Sequence, residues 1–162
     1  MRALALRVGY GSTAMQLREI MTRGVITASA DADLLSVAQL MRDHAVGSVV
    51  VCDSEGEPSA MVTDRDLAVR ALAEERPISE PVAGHASRPL ITGVPEMDLQ
   101  EAAALMVRHR IRRLPVVSEG GLVGIVTLDD IAVRTGNLDV AQRMTQEVIE
   151  GALPEFFFHE RG

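Results

Sequence analysis

Ala60-Met61-Val62-Thr63-Asp64-Arg65-Asp66-Leu67 and Gly124-Ile125-Val126-Thr127-Leu128-Asp129-Asp130-Ile131 are two versions of one octad. In both, a β-rich run reaches a threonine and an aspartate follows three positions later, the pattern of a strand handing over to a helix. The likeness extends outward. Under a shift of 65 positions, Arg23 falls on Arg88, Ile26-Thr27 on Ile91-Thr92 and Asp33-Leu34 on Asp98-Leu99. Ala38, Leu40, Met41, His44 and Val51 fall on Ala103, Leu105, Met106, His109 and Val116. After the Ser54–Pro58 turn the shift becomes 64, which brings Asp66 onto Asp130 and Ala68-Val69-Arg70 onto Ala132-Val133-Arg134. One residue has been lost in a turn, where length changes are tolerated. The chain is therefore a tandem repeat, and the fold must be read from one unit and its partner.

Each copy reads β-α-β-β-α, an α/β (α+β) unit. A short extended lead-in (Val25–Thr27; Leu90–Thr92) precedes an amphipathic helix that Asp33 or Asp98 is placed to cap. Val49-Val50-Val51 and Leu114-Pro115-Val116-Val117 read as buried strands, with hairpin turns at Ser54–Pro58 and Ser118–Gly121. A three-stranded sheet with two helices on one side leaves apolar surface bare, and a unit of about 55 residues is marginal alone. The two copies are thus expected to pack as a pseudo-two-fold pair, with 15–76 as the first repeat and 77–136 as the second. Residues 1–14 read as a disordered extension, and Met15 as an alternative start. Residues 137–162 are expected to form a helix over Leu138–Ile149 and a tail whose Phe156-Phe157-Phe158 cluster suits docking.

Composition narrows the function. Of the 162 residues, 47% are hydrophobic but only 2% aromatic, so the core must be aliphatic. A formal charge of −7 opposes nucleic-acid binding, which needs a basic face. The single cysteine, Cys52, excludes an intramolecular disulfide and suits a reducing cytoplasm; on its β run it is expected to be a small buried residue. Arg7 interrupts the N-terminal apolar stretch, so no export signal is read, and no apolar run approaches the roughly 20 residues of a membrane span. No Ser-His-Asp set, phosphate-binding loop or catalytic carboxylate pair stands out, so an enzyme is not expected. His44 and His109, at matched helix ends, are given structural roles, and no metal site is expected.

The duplicated octads, the Ile20-Met21-Thr22 lead-in and the Arg112-Arg113-Leu114-Pro115-Val116-Val117 strand start resemble the CBS-domain pair, or Bateman module, over roughly Leu17 to Arg134. The Thr-Asp-Arg-Asp form and the short chain look like the stand-alone hypoxic-response type from actinobacteria. This resemblance implies a homodimer of pairs with clefts between the repeats that take AMP, ADP, ATP or a related adenosyl ligand. It implies a regulatory ligand, no required cofactor, and a protein partner that reads the occupied state. Ribose and phosphate would fall to Thr63, Asp66, Thr127 and Asp130: each carboxylate can accept ribose hydroxyls, while the threonine hydroxyl and the N–H groups of the helix start can meet a phosphate. A capping box without ligand explains the same spacing.

The resemblance also puts the adenine against Val25, Ile26 and Thr27, or Leu90, Ile91 and Thr92, with Pro115 nearby; aliphatic residues there would serve equally as core. Arg108 to Arg113 is the dense basic cluster of an acidic chain, and half of it is explained by a helix C-terminus. Arg112 and Arg113 lie past that helix and are assigned to phosphate. Their equivalents are Gly47 and Ser48, so only one cleft is expected to hold a charged nucleotide well, and either cleft could receive the arginines. The alternative function is a ligand-free homodimeric interaction scaffold.

Overall fold

The computed structural model describes residues 15–135; the expectations for 1–14, Leu138–Ile149 and Phe156–Phe158 fall outside them. The first repeat contains α1 (Leu17–Ile20), β1 (Thr27–Ser29), α2 (Leu34–Asp43), β2 (Ser48–Cys52), β3 (Pro58–Thr63) and α3 (Asp64–Asp66), which continues as a π-helix over Leu67–Leu72. A 3-10 turn at Val82–Gly84 leads into α4 (Leu99–His109), β4 (Arg113–Ser118), β5 (Gly121–Thr127) and α5 (Leu128–Thr135). Both long helices begin as their sequences require. Asp33 accepts the Ser36 N–H at 2.6 Å, a bond that holds its carboxyl below the usual aspartate range. Asp98 accepts the Gln100 N–H at 2.7 Å.

In the first sheet β1 runs parallel to β2, and β2 pairs antiparallel with β3. The second sheet has only β4 and β5. The expected third strand is reduced to a bridge from Gly93 to Val116, with Gly93 N–H to Pro115 O at 2.9 Å and Val117 N–H to Gly93 O at 2.9 Å. Two prolines account for it. In the first repeat Val50 N–H donates to Ile26 O at 3.2 Å and Ala30 N–H to Cys52 O at 2.8 Å, and their counterparts Pro115 and Pro95 have no N–H to give.

The short segment ahead of each repeat crosses to the other one. Thr22 exchanges hydrogen bonds with Ile125 of β5 at 2.9 and 3.0 Å, and its counterpart Ser87 does the same with Met61 of β3 at 2.7 and 3.3 Å. The cores follow the exchange. Leu17, Ile20 and Met21 are buried with Met106, Leu114, Val126 and Ile131 of the second repeat. Val82 is buried among Val37, Val49, Val51 and Val62 of the first. No helix of the described residues is long and apolar enough to cross a membrane.

Candidate ligand-binding cleft between the repeats

The exchange of leading segments opens a cleft of about 260 Å³ lined from both repeats. Thr22, Gly24, Val25 and Ile26 approach from the first lead-in, and Val46, Gly47 and Ser48 from the start of β2. Arg113, Ile125, Thr127 and Asp130 come from the second repeat. The structure thus brings together five of the sequence-predicted residues: Val25, Ile26, Arg113, Thr127 and Asp130. Thr27 is exposed in β1 and is not part of the lining. Arg112 is exposed and points its carbonyl, not its guanidinium, to a structural task, accepting the Leu128 N–H at 3.2 Å. Pro115 is buried in β4, where its carbonyl pairs with Gly93. Leu90, Ile91 and Thr92 are half-buried and lie outside this cleft, and Ile91 packs on the second core.

Both Thr-x-x-Asp motifs form capping boxes. Asp130 Oδ2 accepts from Thr127 N–H and Thr127 Oγ1–H, each at 2.8 Å, and Asp130 N–H donates back to Thr127 Oγ1 at 3.1 Å. Thr63 and Asp66 repeat this at 2.9, 2.8 and 3.2 Å. The threonine protons are therefore committed to carboxylates, which leaves the hydroxyl oxygens as acceptors toward any ligand. Asp66 Oδ1 also faces Arg70 Nε at 3.5 Å.

The helix starts differ as well. In α3, Asp64 N–H donates to Gly47 O, Arg65 N–H to Asp64 Oδ1 and Asp66 N–H to Thr63 Oγ1, so the first three donors are spent. In α5, Leu128 stands where Asp64 does and cannot cap its neighbour, so Asp129 N–H has no partner among the described residues. The open donor and the cation of the lining both belong to the second repeat. Sequence reasoning placed the arginines but not their cleft, because that depends on which lead-in crosses to β5. Ser48, Gly47 and Val46 were readable only as counterparts of the basic cluster.

Beyond the cleft, Arg70 ties the π-helix to the second lead-in. Its guanidinium donates to His85 O at 3.2 Å, while the His85 ring, 6% exposed, spans Arg70 O at 3.2 Å and Glu80 Oε2 at 3.0 Å. The equivalent position in the first lead-in is Ile20, which has no ring to make the histidine's side-chain contacts. Cys52 is half-buried at a β-bulge instead of fully enclosed, and burial raises its thiol above the usual cysteine range. His44 caps the C-terminus of α2, and among the described residues no group of three or more His, Cys, Asp or Glu could hold a metal ion.

The CBS domain family matches this sequence twice, over residues 17–72 and 82–134. The chain belongs to the CBS-domain family. The CBS domain-containing protein YhcV of Bacillus subtilis is 42% identical over 117 residues, covering 72% of this chain and 83% of that one. Hypoxic response protein 1 of Mycobacterium tuberculosis is 38% identical over 116 residues, covering 71% and 81%. A crystal structure of Hypoxic Response Protein I with two coordinated zinc ions superposes with a TM-score of 0.68 at 33% identity, covering 74% of this chain and 98% of that one. The CBS domain protein PAE2072 of Pyrobaculum aerophilum, solved in complex with AMP, superposes with a TM-score of 0.69 at 26% identity over 79% and 99%. The octads are thus the recurring motifs of a CBS pair, and the cleft lies between its two repeats.

Proposed function

We propose that this CBS pair is a regulatory module that binds an adenosyl ligand in the cleft between its repeats and signals occupancy to a partner, without catalysis of its own. The observation that carries this reading is the convergence of Asp130, Arg113 and the Val25-Ile26 backbone on one cleft. The adenine would lie on the aliphatic lead-in, the ribose hydroxyls on Asp130 Oδ1, and a phosphate between Arg113 and the Asp129 N–H. A bound ligand touches both repeats, so it favours whichever arrangement closes the cleft, a population shift with no bond made or broken. The AMP complex of PAE2072 supports this class of ligand. Thr63 and Asp66 are assigned the second site beside Leu90–Thr92.

A homodimer is the proposed assembly, in the cytoplasm. Val69 and Val133 are counterparts in the two C-terminal helices and are 51% and 76% exposed, with Leu72 at 78%. Paired apolar exposure of this kind suits burial against a second copy.

Isothermal titration calorimetry with AMP tests the proposal directly, with Asp130→Ala and Asp66→Ala beside the unaltered chain. Losing hydrogen bonds to a carboxylate, about 1.5–3 kcal/mol, should weaken binding by ten- to a hundredfold in Asp130→Ala and much less in Asp66→Ala. AMP affinity unaffected by Asp130→Ala would remove the site assignment, and no heat with any adenosyl compound would leave the interaction scaffold as the working function.

A further inference from the structure

Gly47 marks a corner of the cleft where the two repeats bring opposite charges together. A Cβ built on it would lie 3.2 Å from Arg113 Nη2 and 3.3 Å from Asp64 Oδ2. The guanidinium belongs to β4 of the second repeat and the carboxylate to α3 of the first, and a side chain at position 47 would push both back by a few tenths of an ångström. Asp64 is held in place by its own turn, since its Oδ1 accepts the Arg65 N–H at 2.8 Å. The two groups do not close into an ion pair. Arg113 is the one basic residue of the lining among the described residues, and Asp130 is already an acid within it.

We propose that Asp64 is a specificity-determining residue that caps the negative charge the cleft accepts, so that an adenosyl ligand with at most one phosphate is preferred over a di- or triphosphate. The inference rests on the reading of this cleft as an adenosyl site. A phosphate drawn to Arg113 Nη2 enters the field of Asp64, because both groups border the same point beside Gly47. One phosphate is matched by the arginine. Each further phosphate adds about one negative charge near an existing carboxylate, with no second cation among the described residues of the lining to offset it.

The test is calorimetry of the full chain with adenosine, AMP, ADP and ATP at constant ionic strength, using the unaltered protein, Asp64→Asn and Gly47→Ala, each checked for folding by circular dichroism. The unaltered protein is expected to bind AMP about tenfold more tightly than ATP, and Asp64→Asn to close most of that gap while adenosine binds as before. Gly47→Ala wedges a methyl group between the two charges and should weaken AMP relative to adenosine, which provides an independent arm if Asp64→Asn folds poorly. Equal affinity for AMP and ATP in the unaltered chain, or an AMP-to-ATP ratio indifferent to Asp64→Asn, overturns the proposal while adenosine binding keeps the adenosyl reading intact. Failure of adenosine and AMP alike overturns both.

Discussion

Arg113 and Ser48 hold the same place in the two repeats and line the same cleft. Each opens a strand opposite the motif threonine of its own repeat, Arg113 beside Thr127 and Ser48 beside Thr63. At this matched position one side of the pseudo-axis therefore supplies a cation and the other a hydroxyl. Arg113→Ala should reduce AMP affinity by about ten- to a hundredfold and leave adenosine nearly unchanged, while Arg112→Ala, exposed and outside the lining, should change either by less than about twofold. Titrations with the two ligands separate these outcomes.

The crossing of the first lead-in has a stability signature. A Cβ at Gly124 would stand 2.6 Å from Met21 Sδ, and one at Gly93 would stand 2.8 Å from Leu17 Cδ1 and 3.1 Å from Leu114 Cδ2. Gly124→Ala and Gly93→Ala should each destabilise the protein by about 1–3 kcal/mol through overpacking. Differential scanning calorimetry would show a lowered Tm with a single transition, since the strained contact joins both repeats.

Both long helices leave their last turn through a left-handed residue that is not glycine, Ala45 with φ 53° and its counterpart Arg110 with φ 55°. A side chain there is strained by about 1 kcal/mol, and glycine is the favoured residue at this position of a helix end. Ala45→Gly is exposed and should raise the denaturant midpoint by a corresponding amount, less the extra freedom glycine has when unfolded.

Glu80 is held below the usual glutamate range, first by its hydrogen bond to His85 and then by Arg76. The ionised carboxylate is thus favoured by folding. Its contribution is complete above the unfolded-state value, where both states are ionised, and disappears as pH falls through the lower folded-state value. The difference in Tm between the unaltered protein and Glu80→Gln should therefore be largest near neutrality and shrink as the pH is taken below the ordinary glutamate range. Melting curves from pH 7 to pH 3 give the comparison.

Much of this architecture is legible in the sequence because the repeat writes it twice. Helices α2 and α4 start at Asp33 and Asp98 because an acidic cap and helical apolar spacing are local properties. The threonine-to-aspartate spacing fixes the capping boxes for the same reason. What stays hidden is long-range. Nothing near Leu17 reveals that its side chain belongs to the core of the other repeat, so the cleft that Val25 enters could not be assigned to Asp130 in place of Asp66. Loss of the third strand at Leu90–Thr92 turns on Pro95 and Pro115, both outside that segment, and the commitment of threonine protons to their aspartates appears only in the folded structure.

The reciprocal bridges of Thr22 to Ile125 and Ser87 to Met61 make each half of the chain the keystone of the other. A chain cut between the repeats would leave the second half without Leu17, Ile20 and Met21 in its core, and the first without Val82. A solitary copy could repair itself only by taking the missing piece from another molecule, and two copies doing so would rebuild this arrangement across two chains. Duplication within one polypeptide converts that bimolecular bargain into an internal one, independent of protein concentration, and lets the two halves diverge at matched positions, as Arg113 has from Ser48.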